Sequence, residues 1–219
     1  MYVVFLAGGM ASGKSAVAGL LVAHGALRID LDQLSRDVLV PGEPCLAEVT
    51  AAFGADLVDP VTGVLDRRLL ARRAFATPER AALLESLELP HIRRRLRELL
   101  DAARKREVPP SCVVVEVPLL DRVRDLLGLA DEVLAVSCPE QVRLERAVSR
   151  GMGREDALAR MALQPTDEYL ASHCDAELAN DGDEAALAEK VAAWWSERAE
   201  RAWAPARRKG GADASRGLL

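Results

Sequence analysis

The stretch Tyr2-Val3-Val4-Phe5-Leu6-Ala7-Gly8-Gly9-Met10-Ala11-Ser12-Gly13-Lys14-Ser15 decides the fold. Its second half, Gly8 to Ser15, satisfies G-x-x-x-x-G-K-[ST], the phosphate-binding loop. Its first half, Tyr2–Ala7, is an uncharged, β-rich run of the kind a buried parallel strand requires. Residues 15–24 then read as a helix, with Val17, Leu20, Leu21 and Ala23 available to a core. In such a unit the backbone N–H groups of Gly8, Gly9, Met10, Ala11, Ser12 and Gly13 turn inward around a nucleotide's phosphates. The new helix places its positive end behind the same oxygens. Lys14 is then expected to bridge the β- and γ-phosphates, and the Ser15 hydroxyl to hold Mg²⁺. A Gly-rich turn with an accidental Lys-Ser is the alternative. The order strand, loop, helix argues against it.

Working outward, the whole chain sets bounds. Its 219 residues suit one domain with insertions, and half of them are apolar, enough for a sizeable core. A formal net charge of −5 argues against nucleic acid as a partner. No run has the apolar length of a membrane helix, and the chain enters a strand directly instead of a basic, then apolar leader, so a cytoplasmic protein is expected. Cys45, Cys112, Cys138 and Cys174 are scattered without a C-x-x-C pair, which fits reduced thiols and no zinc site. Arginine outnumbers lysine 25 to 4, so an arginine carries weight only through its position.

Five strands are expected, at Tyr2–Ala7, 26–29, 112–117, Glu132–Ser137 and 175–179, alternating with helical stretches. The fold class is therefore α/β, in three layers around a five-stranded parallel sheet. Residues 1–203 form one domain, with a core of 1–42, 109–145 and 174–203. The span 43–108 reads as a helical insertion large enough to hold a substrate; in it Ile92, Leu96, Leu99, Leu100 and Ala103 make one apolar stripe. The span 146–173, polar and interrupted by Gly151, Gly153 and Pro165, reads as a mobile lid. A helix over 185–203 closes the fold, and 204–219 is expected to be disordered.

A second constellation, Asp30-Leu31-Asp32, follows the second strand. At the carboxyl edge of a parallel sheet, Asp32 could take a proton from a hydroxyl attacking the γ-phosphate. It could equally be the N-cap of a helix carrying Leu34, Val38 and Leu39.

From here the chain resembles the dephospho-CoA kinase family over about residues 2–195. The landmarks stand in family order. After the phosphate loop and the D-x-D of Asp30 and Asp32 come Val40-Pro41-Gly42, Phe53-Gly54, Gly63-Val64-Leu65-Asp66-Arg67 and Phe75. Val117-Pro118-Leu119-Leu120 follows the third strand. Arg146 and Arg150 match the spaced arginines entering the lid, Ala157, Arg160 and Gln164 match A-x-x-R-[IM]-x-x-Q, and Asp175, Asn180 and Gly182 match the closing motif. The resemblance implies a P-loop kinase fold and Mg²⁺-dependent transfer of the ATP γ-phosphoryl group to the 3′-hydroxyl of dephospho-CoA. It implies Asp32 as base, Lys14, Arg146 and Arg150 as phosphate-facing cations, Asn180 at the ATP site, and Arg67 and Pro118 on the substrate side. Glu116 stands where an acid could reach Mg²⁺ through water, or where a strand-end carboxylate pairs with an arginine. The oligomeric state is left open.

The chain departs from the family in several places. Ala7 replaces a threonine and Ala11 a loop glycine, H-P-x-I becomes Leu89-Pro90-His91-Ile92, and Asp121-Arg122 stands where an aromatic and a glutamate are usual. Leu170 and His173 occupy positions where basic residues are frequent. Arg146, Arg150 and Arg154 are therefore expected to share the phosphate charge, and Leu170→Arg to strengthen the grip on ATP. A related kinase with another acceptor, or a non-catalytic nucleotide-binding paralogue, are the other readings. A guanine-reading N-K-x-D or T-K-x-D is absent from the sequence.

Overall fold

A computed structural model describes residues 1–201. The elements run β1 (Tyr2–Ala7), α1 (Lys14–Ala23), β2 (Leu27–Asp30), α2 (Leu31–Asp37), α3 (Pro44–Phe53), α4 (Arg67–Ala74) and α5 (Pro78–Arg104). Then come β3 (Cys112–Glu116), β4 (Glu132–Ser137), α6 (Glu140–Ser149), α7 (Arg154–Ala162), α8 (Asp167–His173), β5 (Ala176–Ala179) and α9 (Glu184–Glu200). They divide into two compact units, the first made of residues 1–29 and 106–201 and the second of Asp30–Lys105. The second strand begins and ends one residue later than expected, so that Asp30 closes it instead of following it. Trp203 and the tail 204–219 lie outside the described residues.

In the first unit all six residues of β1 are buried, as a central strand with covered faces must be. The sheet order is β2-β3-β1-β4-β5, and β1 pairs in parallel with both β3 and β4. Side chains alternate across a strand. Tyr2, Val4 and Leu6 therefore share one face with Cys112 and Val114 of β3 and Leu134 and Val136 of β4. There they pack with Val17, Ala18 and Leu21 of α1 and Leu187, Val191 and Trp194 of α9. Continuing the same alternation puts two carboxylates on this face, Glu116 at the carboxyl end of β3 and Glu132 at the start of β4. The sheet register makes Leu6 the partner of Glu116 and Val4 the partner of Glu132.

The second unit is held by α5, against which α2, α3 and α4 all pack. Leu84, Ile92, Leu96, Leu100 and Ala103 are buried along it, whereas Leu99 of the expected stripe is only partly so. The helix runs through Pro90 without stopping. Side-chain caps mark its start and that of its neighbour: Thr77 accepts from Arg80 N, and Asp66 accepts from Arg68 N and Leu69 N.

Candidate active site

The phosphate loop is built by close approaches that exclude side chains. Gly13, at φ 102°, caps α1, and a Cβ there would stand 2.1 Å from Asn180 Nδ2. That amide donates to Ser12 O at 2.7 Å, so the residue after β5 fastens the loop from behind. A Cβ on Gly8 would lie 2.5 Å from Val136 O of β4. Among the described residues Ala11 is the sole non-glycine with positive φ, at 58°. The left-handed backbone that a family glycine adopts freely is thus kept here by an alanine, at a steric cost. Met10 and Ala11 rest on Leu144, Ala147 and Ala157 of α6 and α7, with Met152 and Met161 beside them.

Lys14 Nζ donates to Gly8 O at 2.5 Å and to Gly9 O at 3.1 Å, which draws the ammonium over the loop. Ser15, on the first turn of α1, donates from Oγ to Glu116 Oε2 at 3.0 Å. The other oxygen of Glu116 pairs with Arg28 Nε. The arginine reading of Glu116 thus finds its partner on one oxygen, while the other oxygen accepts from the hydroxyl expected to bind the cation. A hydroxyl and a carboxylate oxygen side by side are hard donors suited to Mg²⁺.

The lid arginines are placed less uniformly. Arg146 is half-buried on α6, its Nη1 3.4 Å from Cys138 Sγ. Arg150 ends α6 and Arg154 opens α7, both exposed. Leu170 is buried on α8, which packs against β4. An arginine there would bury its charge, so the expectation that Leu170→Arg adds a phosphate ligand is corrected. His173 stacks on Tyr169 with ring centroids 3.9 Å apart. Pro118 is half-buried, in a segment tied to β1 by Val117 N donating to Leu6 O at 3.0 Å.

In the helical unit the cap reading of Asp32 is corrected. Asp30 is the N-cap of α2: its Oδ1 accepts from Asp32 N at 2.8 Å and from Gln33 N at 3.3 Å. Asp32 is therefore not the cap; it stands in the first turn, exposed. Arg67 begins α4 and donates from Nη2 to Arg36 O at 3.0 Å. Burial pushes the Glu88 carboxyl up to about 7, against the opposing charge of Arg67 and with the help of Glu85. His91, on the far side of Pro90 from the family's histidine, pairs with Glu48 at 3.1 Å.

Two residues at the phosphate loop were given no role by the sequence. Gln164, quoted only as a motif position, accepts from Met10 N through Oε1 at 2.6 Å. Arg143 is buried, with Nη1 1.9 Å from where a Cβ on Gly9 would stand. Its spacing from Arg146 and Arg150 could have drawn attention, but among 25 arginines it did not stand out.

A family model described as dephospho-CoA kinase matches residues 2–186. The chain belongs to the dephospho-CoA kinase family. Curated family members from Frankia casuarinae and Streptomyces avermitilis are 42% and 40% identical to it. These matches span 90% and 94% of this chain, and 83% and 98% of theirs. A crystal structure of a Thermus thermophilus protein superposes with a TM-score of 0.74 at 34% identity, over 90% of this chain and 97% of that one. The dephospho-CoA kinase of Campylobacter jejuni shares the fold at 22% identity, with a TM-score of 0.67 over 91% and 98% of the two chains. The family's fold and the order of its motifs are both present here.

Proposed function

We propose that this chain transfers the γ-phosphoryl group of ATP to the 3′-hydroxyl of dephospho-CoA, giving coenzyme A and ADP, in the cytoplasm. The observation that carries the reading is the joining of Lys14, Ser15 and Glu116 around a phosphate loop in a chain of this family. The four described cysteines are all free and buried, in keeping with a reducing compartment.

The loop amides and Lys14 bind the β- and γ-phosphates and keep them in line with the acceptor. Ser15 would hold Mg²⁺ through its hydroxyl, which Glu116 orients by accepting from it at 3.0 Å. Bound there, Mg²⁺ would neutralise charge on the phosphate oxygens. Asp32, released from capping by Asp30, accepts the 3′-hydroxyl proton as that oxygen bonds to phosphorus. The bond from the γ-phosphorus to the β–γ bridging oxygen breaks, and the electron pair leaves with ADP. Arg146 and Arg150 balance the charge on the transferring group. Arg67 and Pro118 belong to the dephospho-CoA side, and Asn180 keeps the ATP loop in shape.

The test is ADP release from MgATP with and without dephospho-CoA, on the wild-type protein and on Asp32→Asn. Release should require dephospho-CoA and should yield coenzyme A. Asp32→Asn should lower kcat by roughly 10²–10⁴ with ATP affinity kept, the usual range for loss of a general base. Its melting temperature should hold, because the cap is Asp30. Release that ignores dephospho-CoA but responds to another acceptor would favour the related-kinase reading. Near-wild-type turnover in Asp32→Asn would remove the base from its role.

A further inference from the structure

Arg143 lies on α6, one turn before Arg146, and takes no part in the mechanism above. The residue is 7% exposed and its side chain 8%. One edge of its guanidinium lies on the second residue of the phosphate loop: a Cβ on Gly9 would be 1.9 Å from Nη1 and 3.1 Å from Cζ. On another edge Nη2 donates to both oxygens of Asp167, at the first position of α8, each at 3.3 Å. Nε is buried without a hydrogen-bond partner.

This is a poor arrangement for a salt bridge that only stabilises the fold. Charge-assisted N–H···O bonds are ordinarily about 2.7–2.9 Å long, shorter than either contact here. The Asp167 side chain is 57% exposed, so its attraction is largely screened. A permanently charged group is thus buried with incomplete compensation, and what it touches instead is the loop. The next loop residue is held from the same side, by Gln164 on Met10 N at 2.6 Å. Gly9 and Met10, the outer leg of the loop, are therefore walled by side chains from the segment that runs from α6 to α8.

We propose that Arg143 is a positioning residue for phosphoryl transfer, its guanidinium bracing Gly9 so that the loop amides and Lys14 meet the nucleotide phosphates in one fixed register. Asp167 sets the plane of the guanidinium. Gly9 is glycine because the brace occupies the space of a side chain. The inference rests on the reading of the loop as the ATP site, and it does not depend on the acceptor.

A double-mutant cycle tests it, with Gly9→Ala, Arg143→Gln and the double variant. The readouts are the MgATP dissociation constant by calorimetry, the KM against kcat split for ATP, and the melting temperature. Gly9→Ala should weaken ATP binding about tenfold to a hundredfold by displacing the loop from the brace, the scale of small misplacements in a site. Arg143→Gln should weaken it several-fold. The double variant should bind no worse than Arg143→Gln alone, because the collision is gone. Arg143→Lys, which keeps a charge near Asp167 but withdraws the planar group, should raise KM while melting within a few degrees of wild type. Additive losses in the double variant, or an Arg143→Lys protein with unchanged ATP binding, would overturn the proposal. Failure to use dephospho-CoA would count against the acceptor alone, since the cycle is read on ATP binding.

Discussion

Glu116 and Glu132 are two buried carboxylates on the same face of one sheet, on the two strands that flank β1, yet they are occupied in opposite ways. Glu132, fully buried, is saturated. Tyr2 Oη donates to it at 2.5 Å, Trp194 Nε1 at 3.2 Å, and Arg198 from Nε at 3.0 Å and from Nη2 at 2.6 Å. Arg198 also lies over the Trp194 ring, 4.8 Å from its centroid. Glu116 at the other end has one arginine that is 40% exposed and one serine hydroxyl that can rotate. A carboxylate whose acceptor sites are all filled by rigid donors is part of the fold. One that shares an oxygen with a mobile hydroxyl can exchange that contact for a cation. Under the proposed mechanism the same residue type serves architecture at the amino edge of the sheet and chemistry at the carboxyl edge, and the difference lies in the donors around it.

The comparison can be broken most forcefully at Glu132. Glu132→Ala strands a buried guanidinium, and it should lower unfolding free energy by about 3–5 kcal/mol in a urea titration. Turnover of the folded fraction should be unchanged. Next in size, Glu116→Gln should leave stability within about 1 kcal/mol, because its arginine partner is solvent-screened. It should weaken the response to Mg²⁺ or the rate by about 10–100-fold, as loss of a group orienting a metal ligand does. A Glu116→Gln protein that unfolds early but turns over normally would erase the distinction. The smallest effect belongs to Tyr2. Burial, aided by the hydrogen bond to Glu132, holds its phenol well above the ordinary 10.0. Stability from this group is complete below the unfolded value and is lost as pH rises through the folded one. Tyr2→Phe should therefore cost about 1.5 kcal/mol at neutral pH and flatten the decline in stability above pH 10.

The sheet and its loop were legible because their signals are local. An uncharged run, a glycine pattern and a helix stand in order within 24 residues. The five strands were found where expected, give or take one residue at an end. What stayed hidden depends on long-range placement. Glu132 looks like an ordinary charge at the start of a strand until α9 brings Trp194 and Arg198 to it. Asp30 and Asp32 are indistinguishable as caps until the helix start is fixed to one residue. Leu170 looks like a lost cation on paper, and only the packing of α8 on β4 shows that it belongs to the interior.

The saturated carboxylate also orders events during synthesis. Its donors come from residue 2 and from residues 194 and 198, so the chain's first strand and its last described helix close on one group. A ribosome has released β1 through β5 before Arg198 emerges. Until then a growing sheet would carry Glu132 with its main counter-charge still untranslated. Non-local closure of this kind delays the final step until α9 has been made. The same circumstance gives quality control a simple criterion. A nascent chain stalled before α9 lacks the arginine that makes the amino edge of the sheet tenable, so it should remain a substrate for chaperones and proteases while a chain that carries α9 escapes them.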